Sequence, residues 1–197
     1  TGFILEKGKG FLPGQKFEKM GLRTCPIGEI ICDNIKVDIG SRLGEEGAGA
    51  TIFSYSMDWE RVCIAANHVG TMQRLLEKAV YYCRNRKQGG KKIGDYQAIS
   101  HKISQMKINL EAARLLTYSA AAKLDKDKTV SLDGSITKVF TSEALVKMCN
   151  DLIQIFGGNG IMVDYEIERA LRDAMASRIY SGTNEVHKNI IAKWQGI

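Results

Sequence analysis

Proline is nearly absent from this 197-residue chain: Pro13 and Pro26 are the only two, and none follows. A proline inside a helix removes a hydrogen bond and clashes with the preceding turn, so its absence after residue 26 predicts a mainly helical body. Cysteine pairs at metal-ligand spacing are also lacking. Cys25, Cys32, Cys63, Cys83 and Cys149 stand apart, with no C-x-x-C and no histidine placed to complete a site. That argues against a metal centre. The odd count of thiols points to a reducing compartment, the cytoplasm first and the mitochondrial matrix as the alternative. No apolar run approaches the length of a membrane span. The net charge of +6 comes from 28 basic and 22 acidic side chains that are scattered rather than clustered. The richest stretches, Arg84 to Lys92 and Lys123 to Lys128, are interrupted by neutral or acidic residues, and no basic patch with interleaved aromatics suggests a nucleic-acid partner. A phosphate-rich ligand such as a nucleotide cofactor suits this balance.

With 44% apolar residues the chain can bury a substantial core. Both prolines and ten of the twenty glycines fall within the first 50 residues. There, β-favouring runs at Glu29 to Cys32 and Ile35 to Val37 are bounded by Pro26, Gly28, Asp33-Asn34 and Gly40. This is too little sheet to stand alone. Because the chain starts at Thr1, residues 1–43 read as the end of a larger β domain, and residues 44–197 as a helical domain.

Apolar residues then recur at three- and four-residue steps. Met72, Leu75, Leu76, Ala79, Val80 and Cys83 mark a helix from about Gly47 to Arg86, close to 60 Å long at ~1.5 Å per residue. The linker Gln88 to Gly94 breaks it. A second helix, about Gln97 to Leu124, carries Ile99, Ile103, Met106, Leu110, Ala113 and Ala120, and ends at the polar segment Asp125 to Lys128. A third, about Asp133 to Phe156, carries Ile136, Val139, Phe140, Leu145, Met148, Leu152 and Ile155, and stops at Gly157-Gly158. A short helix spans about Glu166 to Ala174, and a last one starts near Asn184 with Thr183 as its N-cap. Four principal helices with short or moderate loops predict an antiparallel four-helix bundle. Trp194 and the methionines read as core, His187 as exposed, and His68, His101 and His187 as unrelated to one another.

Several motifs lie in register along this frame: Leu43-Gly44-Glu45-Glu46-Gly47, Asp58-Trp59-Glu60-Arg61, Arg86-Lys87-Gln88 with Gly90, Tyr96-Gln97-Ala98-Ile99, and the run from Gln154 to Ile190, which opens on Gln154 to Gly158 and contains Tyr180-Ser181-Gly182-Thr183. In isolation each has an ordinary explanation. Gly157-Gly158 is a helix C-cap, Arg86 a solvated helix-end charge, Asp58 to Arg61 a surface charge cluster, and Glu168, Arg169, Arg172 and Asp173 an ion-pair network. In their common order they resemble the acyl-CoA dehydrogenases, flavoenzymes that take a proton from the α-carbon and a hydride from the β-carbon of an acyl thioester.

The resemblance implies a cofactor, FAD, and residues that meet it: Arg86, Gln88, Gln97, Gln154, Gly157, Gly158, Thr183 and Glu185. Arginine suits pyrophosphate, paired glycines let a backbone come close to a ligand, and a helix start favours anions. It assigns Asp58, Arg61 and Gly182 to the substrate. It also implies an acyl-CoA substrate, an electron-transfer flavoprotein as acceptor, a role in fatty acid metabolism, and a homodimer or homotetramer in which Arg86, Gln88 and Gln154 to Gly158 serve a neighbour's flavin. Alternatives are an acyl-carrier-protein-linked dehydrogenase of a biosynthetic pathway and a non-catalytic helical oligomerisation domain; the intact Arg86, Gln154, Gly157 and Gly158 set argues against the last.

Three departures from the family pattern stand out. Gly89 occupies the aromatic position of R-K-Q-F-G, Glu166 replaces a common proline, and Ser181 stands where many members carry the glutamate that takes the α-proton. A serine hydroxyl cannot do that unaided. Isovaleryl-CoA and long-chain dehydrogenases carry the base on the first bundle helix instead, just before the motif arginine. That position here is Glu60, with the small Ser181 leaving room for it. A carboxylate held away from water against the thioester is the chemistry required.

Overall fold

A computed structural model describes residues 1–6, 10–126 and 129–197; Asp127 and Lys128 of the expected polar segment lie outside the described residues. The chain clusters into two compact units, Thr1–Met57 and Asp58–Ile197.

The first unit holds β1 (Gly2–Phe3), β2 (Leu12–Phe17), β3 (Ile27–Ile31) and β4 (Arg42–Leu43). β1 pairs antiparallel with β4, and β2 with β3, the latter with a register shift between Pro13 and Lys16. Strand structure was expected through Cys32 and again at 35–37. Instead β3 ends at Ile31, and residues 35–38 carry no strand. A strand needs a ladder, and among the described residues none pairs with that segment. Leu12, Phe17, Ile27, Ile30 and Ile31 of the β2–β3 ribbon are exposed, an apolar load that a two-stranded ribbon cannot bury by itself.

The second unit is helical, with α1 (Gly49–Asn85) belonging to it from Asp58 onward. α1, α2 (Gln97–Leu124) and α3 (Ser131–Phe156) are long; α4 (Ile167–Met175) and α5 (Asn184–Trp194) are short. Between α1 and α2 lies a small hairpin, β5 (Lys87–Gln88) with β6 (Lys91–Lys92). α3 is central and packs on α2, α4 and α5. Its C-terminal half joins Met72, Leu75, Ala79 and Cys83 of α1 and Met106, Leu110 and Ala113 of α2 in one apolar core, with Leu145, Met148, Leu152 and Ile155 as its own contribution. These are the residues that the helical periodicity picks out.

The N-terminal half of α3 departs from that reading. Ile136, expected in the core, is exposed, whereas Ser135, Thr137, Lys138, Thr141 and Ser142 are buried. The face turned inward is polar because it bonds to Gly182, to Asn184 and His187 of α5, and to His68 of α1. Trp194 is also outside the core, 58% exposed at the end of α5, and Met20 and Met162, likewise expected inside, are exposed, while Met72, Met106 and Met148 are fully covered.

After α3 the chain makes a 3₁₀ turn over Gly157–Ile161. Gly160 lies flat on α3 there: an added Cβ would sit 2.6 Å from the Ile153 carbonyl oxygen and 3.0 Å from its Cα. Neither atom can move without moving the helix. Gly160→Ala is therefore expected to destabilise by about 1–3 kcal/mol, the usual cost of overpacking, read as a lower denaturation midpoint. Glu166, in the left-handed region at φ 62°, precedes α4 as its N-cap residue and pairs with Arg169 at 2.7 Å. Arg172 pairs with Glu168 at 2.7 Å along the same short helix.

Candidate active site

Two places in the helical unit gather the singled-out residues, one near each end of the stretch from Glu60 to Arg86. At the first, α1 carries Asp58, Glu60 and Arg61. Asp58 accepts a hydrogen bond from Arg61 at 3.3 Å, and the Ser181 hydroxyl donates to Glu60 Oε1. Glu60 and Ser181, 121 positions apart in sequence, thus meet directly. Burial makes the Arg61 cation less favourable than usual, with Asp58 and then Glu60 acting in the opposite direction. Among the described residues its Nε is buried without a hydrogen-bond partner.

Ser181 and Gly182 form a turn with both residues at positive φ, 56° and 92°. The left-handed region is costly for a serine, so the surroundings must hold it. Buried polar side chains do. His68 of α1 pairs with the Tyr180 hydroxyl at 2.8 Å and with Thr141 at 3.0 Å. His187 of α5 donates from Nε2 to the Ser181 carbonyl at 3.1 Å and meets Ser135 at 3.1 Å. Lys138 of α3 donates to the Gly182 carbonyl and to Asn184 Oδ1, both at 2.8 Å.

Asn184 is itself tied to Ser142 and to Glu143, whose carboxylate grips Arg178 through two bonds of 2.9 and 2.7 Å. That Arg178 bond holds the Glu143 carboxyl below the usual carboxylate range. Burial pushes His68 down to about 4, and burial with the nearby Arg61 does the same to His187. Lys138 falls to about 8, burial outweighing the attraction of Glu185 and Glu143. Burial raises the Tyr180 phenol to about 12.

His187, expected to be exposed, is fully buried, and His68, which had no assigned role, holds the same turn. Lys138 was missed altogether.

The second place is a cleft of about 290 Å³ lined by Tyr82, Arg86, Gln88, Ile155, Phe156, Gly157, Gly158 and Asn159 among others. It brings together four of the expected cofactor positions: Arg86, Gln88, Gly157 and Gly158. Gln97 and Gln154 are exposed and do not line it. Thr183 caps α5, accepting from the Val186 N–H at 3.3 Å, and Glu185 is exposed on the first turn of that helix. At Gly89 an added Cβ would fall 2.6 Å from the Tyr96 hydroxyl, which donates to the Gln88 carbonyl at 2.9 Å; Tyr96 occupies the place beside the hairpin.

Other features are neutral in this respect. Cys25, Cys32, Cys63, Cys83 and Cys149 are free thiols, the last two buried. Among the described residues no helix is long and apolar enough to cross a membrane, and no cluster of three or more metal-ligating side chains occurs.

The family described as "Acyl-CoA dehydrogenase, C-terminal domain" matches residues 47–196. An L-prolyl-[peptidyl-carrier protein] dehydrogenase of Pseudomonas fluorescens is 41% identical over 194 residues, covering 98% of this chain and 51% of that protein. Among solved structures, one described as butyryl-CoA dehydrogenase from Megasphaera elsdenii superposes with a TM-score of 0.95 at 38% identity, covering 99% of this chain and 51% of the other. One described as the FAD complex of PigA gives 0.95 at 40% identity, with coverages of 98% and 51%. The chain spans about half the length of the curated relatives it matches.

Proposed function

The chain belongs to the acyl-CoA dehydrogenase family, and from that premise we propose that it is the C-terminal portion of an FAD-dependent enzyme converting an acyl thioester to its trans-2-enoyl product. Residues 1–43 are then the end of its middle β domain and 44–197 its helical domain. The observation that carries this reading is the meeting of Glu60 with Ser181: a carboxylate lies against the element where many members hold their base.

Bound flavin supplies the acceptor for the hydride that leaves the β-carbon. The chain's own residues do the rest. Glu60 takes the α-proton, with one carboxylate oxygen engaged by the Ser181 hydroxyl and the other available to the substrate. Asp58 holds Arg61 by charge and hydrogen bond, and so orients the guanidinium that the resemblance assigns to the substrate. Negative charge developing on the thioester oxygen requires aimed donors, which the family resemblance assigns partly to a backbone N–H of the turn carrying Gly182.

The cleft at Arg86 and Gln88 fits part of a dinucleotide. Its cation suits a pyrophosphate, its glycines admit a close approach, and its size excludes the whole cofactor. Gln97 and Gln154 lie outside that cleft, and Thr183 and Glu185 stand at the start of α5 beside the Ser181 turn, where they would meet a different part of the cofactor. Oxidised carriers are regenerated by an electron-transfer flavoprotein, and the protein assembles as a homodimer or homotetramer, both carried over from the resemblance.

A second reading keeps the chemistry and changes the carrier. It is favoured by the 41% identity to a prolyl-carrier-protein dehydrogenase. The full-length flavoprotein is to be titrated with acyl-CoAs of varied length and branching and with acyl-loaded carrier proteins, prolyl among them. Bleaching of oxidised flavin by CoA thioesters supports the first reading, and bleaching by carrier-bound acyl groups alone supports the second. No bleaching by either would overturn both and leave the oligomerisation domain.

A further inference from the structure

The turn at Tyr180, Ser181 and Gly182 receives one buried polar side chain per residue, each from a different helix: His68 on the Tyr180 hydroxyl, His187 on the Ser181 carbonyl and Lys138 on the Gly182 carbonyl. We propose that His187 and Lys138 are positioning residues that lock the left-handed turn so that the Ser181 hydroxyl is delivered to the Glu60 carboxylate. The proposal rests on Glu60 acting as the base.

Several observations support it together. A serine and a glycine in succession at φ 56° and 92° form a conformation that free chain rarely keeps. The two carbonyls belong to half-buried residues, and each finds its donor in a side chain that is itself fully buried. A carbonyl can only accept, so His187 carries its proton on Nε2, and Nδ1 accepts from the Ser135 hydroxyl. The neutral ring that this tautomer requires is the form that burial favours.

Lys138 is pinned by a second acceptor, Asn184 Oδ1, so its Nζ is fixed from two sides. Asn184 in turn begins α5 and is anchored through Glu143 to Arg178. The stretch from 178 to 187 is therefore bonded to α1 and α3 through side chains, and its turn has little freedom to relax. Apolar packing would have sufficed to hold α5. A lysine and two histidines at zero or near-zero exposure are a costly way to do it unless orientation of backbone is the requirement.

None of these side chains needs to touch substrate. Their effect passes through Ser181, which makes the proposal testable by a double-mutant cycle in the full-length flavoprotein. Ser181→Ala removes the delivered hydroxyl. His187→Ala and Lys138→Gln loosen the turn that delivers it. Each is expected to lower kcat about tenfold to a hundredfold with KM little changed, as for a misplaced catalytic group. His187→Gln, whose amide can still donate to the Ser181 carbonyl, should recover most of the loss.

Combined with Ser181→Ala, the loosening variants should add little further loss, because the path is already cut. Amide exchange at 181–183 should speed up in His187→Ala and Lys138→Gln whether or not turnover is measured. Multiplicative losses in the double variants, equal effects on kcat and KM, or unchanged amide exchange would overturn the proposal. Failure of the base assignment is separate: it shows as wild-type turnover in Glu60→Gln, whatever the clamp variants do.

Discussion

Glu60→Gln in the full-length enzyme is expected to reduce turnover by roughly two to four orders of magnitude, the span typical of a positioned acid or base, with flavin still bound and the fold intact. Glutamine keeps the volume of the side chain, and its amide oxygen can still accept from Ser181. Lost basicity is then the only large change. Ser181→Glu should not restore a family-typical rate in the presence of Glu60. It would set two carboxylates against each other where one oxygen now accepts a hydroxyl, and neighbouring carboxylates resist joint ionisation. Glu60→Gly with Ser181→Glu, which moves the carboxylate from helix to turn, should regain part of the activity. Stopped-flow reduction of the flavin reads the chemical step directly. Wild-type rates in Glu60→Gln would remove Glu60 from the mechanism.

Acid should weaken this protein well before its carboxylates are protonated. His68 and His187 are both buried and neutral, with folded values of about 4 against an ordinary 6.5. The unfolded chain takes up protons as the pH falls through 6.5, and the folded chain refuses them until about 4. Stability from these groups is thus complete above 6.5 and is lost progressively towards 4. At ~1.4 kcal/mol per pKa unit the loss is on the order of 3 kcal/mol for each ring. Thermal or denaturant midpoints measured at about pH 7 and about pH 5 should fall steeply in the wild type. In His68→Gln with His187→Gln the slope should flatten, even if the starting midpoint is lower. A wild-type midpoint that is level over that interval would show that the rings are free to ionise in the folded protein.

How much of this was legible depends on what each residue's signal was. The faces of α1 and α2 and the C-terminal half of α3 follow from apolar spacing, because there the buried side chains are also the hydrophobic ones. Thr183 as N-cap followed from local chemistry alone, and the structure keeps it. The N-terminal half of α3 was read the wrong way round at Ile136, since periodicity counts apolar residues and that face buries Ser135, Lys138 and Ser142 instead. Lysine carries a surface expectation that only its acceptors can reverse, and those acceptors lie 44 and 46 positions away. Trp194 shows the converse error, a large apolar ring left outside. For the candidate site, the pairing of a vacancy at Ser181 with a carboxylate at Glu60 could be read from the motifs, and the structure joins them. The side chains that shape the turn could not, because they belong to no motif and act through backbone carbonyls.

α1 has one more consequence. Glu60 lies near its first third, and Arg86 follows its last residue, so the rigid rise between them is nearly 40 Å at ~1.5 Å per residue. The proposed base and the proposed dinucleotide cleft of one chain are thus held apart by an incompressible ruler. If each cleft serves the flavin of a neighbouring copy, that helix sets how far the partner's dinucleotide lies from this chain's own base, and because Met72, Leu75, Ala79 and Cys83 tie it into the core, the spacing cannot change without repacking the bundle.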